Sequence, residues 1–245
     1  MKFNFSKIKS FHILLLFLLV LGFFLGSHEE IYRQGAKKVT TYETGIENRE
    51  TETYLEIIWD ASGSMWGKNN DTRKITQAKE VLDYINSNLP DNIYTGLRIF
   101  GARRISDEKD SFLAVPFEKN NNNKIKNYIK NIKPLGRSPI ELSLKKAGKD
   151  LENFSGERHI LLISDGISNQ EISEQEVIDK LNESDIKFHV FHLGEYDNDS
   201  KVDEEDMEDI NVSGNLITIA DHTNGNYFSE NNNTAEVVKT FSSSR

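Results

Sequence analysis

Short apolar runs rich in β-branched residues alternate along this chain with segments of helical periodicity, and this alternation restricts the fold more than any other feature. The strand-like runs are residues 54–59, 93–100, 111–117, 159–163, 188–193 and 226–228. The helical patterns are residues 75–89, 124–132, 139–151, 173–181, 216–224 and 235–241. Strands that alternate with helices favour a mostly parallel sheet covered by helices on both faces. We therefore predict an α/β fold with a doubly wound, six-stranded sheet.

Two details of local structure follow from single residues. Pro116 lies in the third strand-like run, and because proline cannot donate a ladder hydrogen bond, that run is expected at an edge of the sheet. Ser173 is followed three residues later by Glu176, which is the spacing of a capping box. We therefore expect this serine to open the helix at residues 173–181 with its side chain.

Composition and charge exclude several classes of protein. The chain has 245 residues and no cysteine, which rules out a disulfide framework, thiolate zinc and a thiol nucleophile. The formal net charge is -9, and an acidic surface disfavours nucleic acid because phosphate binding needs a basic face. No glycine-rich phosphate loop follows a predicted strand. Neither nucleic acid nor a nucleotide is expected as a ligand.

The start of the chain has the pattern of an export segment. Three lysines among the first ten residues precede an almost wholly apolar run at residues 11–25. The run is long for a cleaved signal and slightly short for a spanning helix of about 20 residues. Cleavage requires small residues one and three positions before the cut; Gly26 and Ser27 are small, but Phe24 and Leu25 precede them, so an uncleaved anchor is favoured over a cleaved signal that would release a secreted protein. The lysines then place the rest of the chain outside the cell membrane.

The chain therefore divides into four predicted parts. Residues 1–27 form the anchor or signal, and residues 28–52 form a polar linker without apolar periodicity. Residues 53–241 form one folded domain, which fits the size of a single globular unit. Residues 242–245 are a short tail.

Oxygen-bearing side chains cluster at the ends of predicted strands. Asp60, Ser62 and Ser64 follow the first strand, and Asp165 follows the fourth. Ser138 lies in the loop before the helix that precedes that fourth strand. In open parallel sheets ligands bind at the carboxyl edge where the strand order reverses, so we expect these five residues to converge.

Two carboxylates and three hydroxyls select a hard divalent cation. Mg²⁺ is the favoured ion, with Mn²⁺ and Ca²⁺ as alternatives. If the two carboxylates act partly through water, the direct ligands are mainly neutral hydroxyls, and the ion can then accept a carboxylate from another molecule. The pattern thus predicts a metal site and no catalytic residue.

These motifs carry a family resemblance. Residues 60–64 resemble the Asp-x-Ser-x-Ser signature of the metal-ion-dependent adhesion site of von Willebrand factor A domains. Residues 160–166 are similar to the family's strand that ends in Asp-Gly, and residues 136–140 to its loop that usually supplies a threonine, here replaced by Ser138. The resemblance covers residues 53–241 and implies the family's Rossmann-like fold and metal site.

The resemblance also implies a function in binding. We expect a membrane-tethered module whose cation binds an Asp or Glu of a protein partner, in adhesion or in assembly of an envelope complex. The alternatives are a scaffold subunit with a structural metal and, less favoured, a metal-dependent hydrolase. Residues 60–67 are similar to bacterial members labelled calcium-activated chloride-channel homologues, but one hydrophobic segment cannot line a pore.

Several features have a second interpretation. Ser138 with Glu141 is also the pattern of a capping box, so helix capping could explain this serine without a metal. Trp66 could contact a partner or cover the neighbouring helix. The acidic residues 197–208 have the length of an EF-hand loop but lack its glycine, which favours a solvated loop. Arg103 and Arg104 could touch an acidic ligand, although a solvated loop is the simpler interpretation.

Overall fold

The computed structural model describes residues 51–194, 210–229 and 234–242. The predicted N-terminal segment and the acidic loop at residues 197–208 lie outside these ranges. Within the ranges, none of the helices has the length and apolar character that crossing a bilayer requires.

Six strands of the described residues form one sheet, in the order β10-β8-β6-β1-β4-β5. They are β1 (Thr53–Asp60), β4 (Ile93–Phe100), β5 (Ser111–Glu118), β6 (Glu157–Ser164), β8 (Ile186–His192) and β10 (Tyr227–Ser229). All neighbouring pairs are parallel except β4 and β5, which are antiparallel. The sheet confirms the predicted class, and β5 with its proline is the predicted edge strand.

Helices cover both faces of this sheet. They are α1 (Lys74–Asn88), α2 (Asn122–Lys130), α3 (Ile140–Leu151), α4 (Glu174–Glu183), α5 (Ser213–His222) and α6 (Thr234–Ser242). Alternate residues of β1 point to opposite faces. Leu55 and Ile57 pack in the core with α1, α2 and α6, while Tyr54 and Ile58 pack with α3, α4 and α5. The fold is therefore doubly wound, as predicted.

The centre of the sheet brings two strand ends together. β1 lies between β4 and β6, so the chain leaves β1 on one side and returns on the other. The parallel register sets Trp59 opposite Ile163, and hence Asp60 next to Ser164 at the carboxyl edge. The switch point of the sheet thus lies between the two predicted motifs.

Local structure differs from prediction in a few places. The sequence pattern did not predict two small antiparallel sheets, a hairpin of β2 (Lys68–Asn69) with β3 (Thr72–Arg73) and a pairing of β7 (Ile167–Ser168) with the distant β9 (Ile210–Asn211). The capping box at Ser173 is wrong: its side chain makes no capping bond. Its backbone N–H instead donates to Oε2 of Glu141 at 2.7 Å, because packing brings α3 beside α4.

Candidate metal centre

Asp60 is the last residue of β1, and its carboxylate is fully buried. Oδ1 accepts the backbone N–H of Ser62 at 2.8 Å, and Oδ2 accepts the hydroxyl of Ser164 at 2.6 Å. Burial, and then the neighbouring carboxylate of Asp165, raise the pKa of Asp60 to about 7. A second negative charge is therefore disfavoured here unless a cation lies close by.

Asp165 follows β6 directly, and its side chain is also inaccessible to solvent. Oδ1 accepts the hydroxyl of Ser64 and the backbone N–H of Ile167, each at 3.2 Å. Oδ2 accepts the ammonium group of Lys74 at 2.9 Å. One oxygen of this carboxylate thus contacts a predicted ligand, while the other contacts a lysine that the sequence pattern had not singled out.

Ser62 and Ser64 lie at the start of a single 3₁₀ turn, Gly63–Trp66, which follows β1. Their hydroxyl oxygens are 3.1 Å apart, and the oxygen of Ser64 is 3.2 Å from Asp165 Oδ1. Ligands on adjacent corners of an octahedral Mg²⁺ lie roughly 3 Å apart, given metal–oxygen distances of about 2.1 Å. Hydrogen bonds therefore hold these oxygens at a spacing that fits the ion.

Ser138 is brought to the same edge by close backbone packing. Gly136 donates its N–H to the carbonyl of Gly101 at 2.8 Å, and its own carbonyl accepts the N–H of Gly63 at 2.9 Å. Gly101 has φ +69°, and a Cβ there would lie 2.6 Å from the carbonyl oxygen of Arg137. The loops after β1 and β4 and the loop before α3 can meet only because Gly101 has no side chain.

The hydroxyl of Ser138 is buried and has no hydrogen-bond partner among the described residues. Its backbone is well held: the N–H donates to Asn169 Oδ1, and the carbonyl accepts from Ser168 Oγ at 3.2 Å. α3 begins after Pro139, without a side-chain cap. Helix capping therefore does not explain this serine, and Glu141 contacts Ser173 and Lys145 instead.

A cavity of about 280 Å³ opens beside these residues. Ser62, Ser64 and Ser138 line it, together with other residues of their loops, Ile105 from the loop after β4, and Ile167 and Asn169 from the segment after β6. Among the described residues no three of histidine, aspartate and glutamate come together as a metal-binding group. The five predicted ligands would supply only oxygen donors, three of them hydroxyls, and such a set suits Mg²⁺, Mn²⁺ or Ca²⁺ better than zinc.

The sequence analysis did not predict a role for four residues that lie next to the site. Ser164 holds Asp60, Asn169 holds Ser138, and Lys74 pairs with Asp165. His192 forms a hydrogen bond with the backbone oxygen of Asp165 at 3.1 Å. Ser164 could have been found from its place at the end of a parallel strand beside β1, whereas the other three contacts have no local sequence signal.

Trp66, Arg103 and Arg104, for which the sequence left two interpretations, have defined contacts. The indole N–H of Trp66 donates to the carbonyl of Pro134 at 2.9 Å, and the ring is 43% exposed beneath the guanidinium of Arg73. Arg103 is paired with Asp110, and Arg104 with Asp107. The two arginines are thus paired with acids of their own loop, a contact that was not predicted, and both side chains are largely exposed, as a solvated loop implies.

A doubly wound sheet with oxygen donors gathered at its switch point defines the class of this protein. The chain belongs to the von Willebrand factor type A domain family, whose sequence profile matches residues 54–227.

The most informative relatives are bacterial. The uncharacterized protein YwmD of Bacillus subtilis is 28% identical over 178 residues, which cover 68% of this chain and 77% of that protein. The structure of BatB from Bacteroides thetaiotaomicron superimposes with a TM-score of 0.61 at 21% identity, covering 78% of this chain and 98% of BatB. An aerotolerance-related membrane protein from Bacteroides fragilis gives a TM-score of 0.58 at 20% identity, with 78% and 96% covered. At these identities the two structures establish the shared fold.

Proposed function

We propose that this chain is a membrane-tethered binding domain, displayed outside the cell membrane, that holds one divalent cation, with Mg²⁺ favoured over Mn²⁺ and Ca²⁺. The ligands would be Asp60, Ser62, Ser64, Ser138 and Asp165. The observation that carries this proposal is the buried hydroxyl of Ser138, which has no hydrogen-bond partner among the described residues and lines the same cavity as Ser62 and Ser64. A buried polar atom without a partner costs about 1–3 kcal/mol, and ligation to a cation would remove that cost.

The chemistry of the ligands supports binding rather than catalysis. Neutral hydroxyls donate little charge, so an ion held by them stays able to attract a carboxylate. A cavity bordered by three of these hydroxyls leaves room for a ligand from outside. The partner we propose is a protein that presents an Asp or Glu side chain to the ion.

The surface around the cavity supports a protein partner. Ile105 lines the cavity and is 68% exposed, and Leu135 adjoins Gly136, another lining residue, and is 42% exposed. Trp66 is joined to this loop by its hydrogen bond to Pro134. Exposed large apolar side chains grouped around a polar site are typical of protein contact surfaces.

Two similar structures bear on where such a domain would work. The Bacteroides fragilis structure is described as a membrane protein. The pilus adhesin SpaC of Lactobacillus rhamnosus GG gives a TM-score of 0.57 at 12% identity, covering 79% of this chain and 31% of SpaC. Both fit the proposed display at the cell surface, with the apolar N-terminal segment as the anchor.

Calorimetric titration of the full-length chain in a non-ionic detergent with MgCl₂ and MnCl₂ tests the metal site. We expect one site per chain, which is lost in Asp60→Ala and Asp165→Ala. Asp179→Ala is the matched control, because this aspartate is exposed on α4, away from the site. Circular dichroism checks that each variant folds. Unchanged cation binding in the folded Asp60→Ala and Asp165→Ala variants would rule the site out.

The role of the cation is tested by crosslinking in cells. We expect a defined set of crosslinked partners that is lost on chelation and in Ser64→Ala. If the same partners are captured regardless of chelator and Ser64→Ala, the metal is structural and the domain acts as a scaffold subunit. Phosphatase or other hydrolase activity that disappears in Asp60→Ala would contradict a binding function.

A further inference from the structure

Lys74 is a charged neighbour of the metal centre that the proposed function does not use. Its ammonium group lies 2.9 Å from Asp165 Oδ2, and its side chain is 21% exposed while that of Asp165 is fully buried. Among the described residues, Lys74 is the one cationic residue whose side chain forms an ion pair with Asp60 or Asp165. Lys74 therefore places a positive charge on Asp165, the same carboxylate that would serve as a ligand to a divalent cation.

The position of Lys74 in the fold makes this contact specific. It is the first residue of α1, and its backbone N–H donates to the carbonyl of Gly67 at 2.9 Å. Its side chain runs past Gly67, where an added Cβ would lie 3.6 Å from its Cε. The first turn of α1 holds no acidic residue, and the positive end of a helix dipole disfavours a lysine. Asp165 is therefore the group that stabilises the ammonium here.

The two oxygens of Asp165 face different partners. Oδ1 accepts the hydroxyl of Ser64, which is one of the proposed ligands, and Oδ2 accepts Lys74. A buried carboxylate without a counter-ion is strongly disfavoured. With the lysine in place the aspartate is compensated even when no divalent cation is bound. A divalent cation that then enters the site must share Asp165 with Lys74 and is repelled by the positive charge of the ammonium group.

We propose that Lys74 is an internal counter-ion that competes with the divalent cation for Asp165 and sets the affinity of the site. The inference rests on the proposed metal site. Binding of the cation releases the ammonium group toward solvent, which its partial exposure allows, and loss of the cation lets the lysine return. The lysine thus keeps the empty site stable and makes the cation bind more weakly than the five ligands alone would allow.

Titration of full-length wild type, Lys74→Met and Lys68→Met with MnCl₂ tests the proposal. Methionine keeps most of the length of lysine without its charge, and Lys68 is an exposed lysine of the adjacent hairpin, so its variant controls for net charge. We expect Lys74→Met to lower the Kd for Mn²⁺ by about tenfold, since removing a like charge at this range is worth a factor of that order. Lys68→Met should leave the Kd unchanged.

The outcomes separate the two proposals. If wild type binds Mn²⁺ and Lys74→Met binds it equally or more weakly, the counter-ion role is wrong while the metal site stands. If neither binds, the metal site itself fails. If only Lys74→Met binds, the competition is stronger than expected and the proposal is supported.

A second measurement uses the wild-type protein and so does not depend on a variant that folds. Lysine acetylation by an activated ester is followed by mass spectrometry with and without saturating MgCl₂. Release from Asp165 should make Lys74 react faster when Mg²⁺ is bound, while the rate at Lys68 stays constant. An unchanged or slower rate at Lys74 in a protein that binds Mg²⁺ would overturn the displacement.

Discussion

Two acidic clusters each include a buried carboxyl of β1, Glu56 in one and Asp60 in the other, and they are neutralised in different ways. Glu56 and Asp150 are both bound by Arg98, whose Nε donates to Glu56 Oε1 at 2.8 Å and whose other nitrogens donate to Asp150 and Ser111. Among the described residues, no cationic side chain bridges Asp60 and Asp165 in this way. From these residues Asp60 accepts hydroxyl and amide hydrogens, and Asp165 accepts the ammonium group of Lys74.

The two clusters differ in how much of their negative charge is neutralised by a neighbouring cationic side chain. A guanidinium has five donors in a fixed plane and can bind two carboxylates at once, whereas an ammonium group is a compact charge that moves easily. Burial raises the pKa of Glu56 to about 7, although Arg98 opposes the shift, so this carboxyl can also hold a proton. Glu56 Oε2, like Ser138 Oγ, has no hydrogen-bond partner among the described residues. The carboxyl of Glu56 nevertheless has Arg98 as its counter-ion, whereas Asp60 forms no ion pair with a described residue. We therefore call the first cluster closed and the second cluster open to an added cation.

The largest expected effect is a loss of unfolding free energy when Arg98 is removed from the closed cluster. Arg98→Met leaves Glu56 and Asp150 without their counter-ion, and removing one partner of a buried ion pair costs about 3–5 kcal/mol. Guanidinium unfolding should show this loss, with cation affinity retained wherever the variant folds. Arg104→Met is the control, since Arg104 is exposed and should change stability by less than about 0.5 kcal/mol. Equal effects of the two variants would contradict the comparison.

The next effect concerns the open cluster. A ligand that binds only the folded state at one hundred times its Kd stabilises it by about 2.7 kcal/mol. MgCl₂ at that excess should raise the unfolding free energy of wild type by this amount and leave Asp165→Ala unchanged. Stabilisation of both proteins to the same degree would mean that the ion acts elsewhere.

A third buried polar group, the pair His159 and His189, is closed as well and predicts a dependence on pH. Burial lowers the pKa of His189 from 6.5 to about 3, with His159 and Lys187 adding to the shift. Their ring nitrogens are 3.0 Å apart. The unfolded chain takes up a proton near pH 6.5 and the folded chain does not, so stability is present above that pH and falls below it. Between pH 7 and pH 5 the loss is about 2 kcal/mol for this residue.

Comparison of variants isolates this contribution from those of other groups. In His189→Phe the unfolding free energy should fall between pH 7 and pH 5 by about 2 kcal/mol less than in wild type, because the unfolded variant has one proton fewer to take up. His222→Gln should keep the wild-type slope, because His222 is exposed at the end of α5. Unfolding titrations at several pH values give the slopes. An unaltered slope in His189→Phe would show that the pair does not stay neutral.

The last prediction concerns Ser138, where no loss of stability is expected. Ser138→Ala removes a buried hydroxyl with no partner among the described residues, so the unfolding free energy without cation should rise, by at most about 1–3 kcal/mol, while cation affinity falls. Ser143→Ala is the matched control from the first turns of α3: its hydroxyl bonds Pro139 and Ser111, so it should lose about 1 kcal/mol and bind cation normally. The reverse pattern would assign Ser138 a structural role.

Much of the fold could be predicted because the relevant signals are local. The alternation of strand and helical periods specified a parallel sheet with two covered faces, and Pro116 marked its edge strand. Helix ends were less accurate: α2 begins at Asn122 rather than residue 124, and α5 at Ser213 rather than residue 216. The choice among neighbouring polar residues at a helix start depends on tertiary contacts, as the bond from Ser173 to Glu141 illustrates.

By itself the sequence determined that Asp60 and Asp165 follow two buried strands, since strand character and the polar residue after it are read within a few positions. The tertiary structure alone decided that Lys74 pairs with Asp165 across 91 positions and that Arg98 joins Glu56 to Asp150. It also decided that the hydroxyl of Ser138 has no hydrogen-bond partner among the described residues. Such contacts depend on which elements pack together and on which atoms are already satisfied. No local pattern encodes either, because both follow from the complete arrangement of the chain.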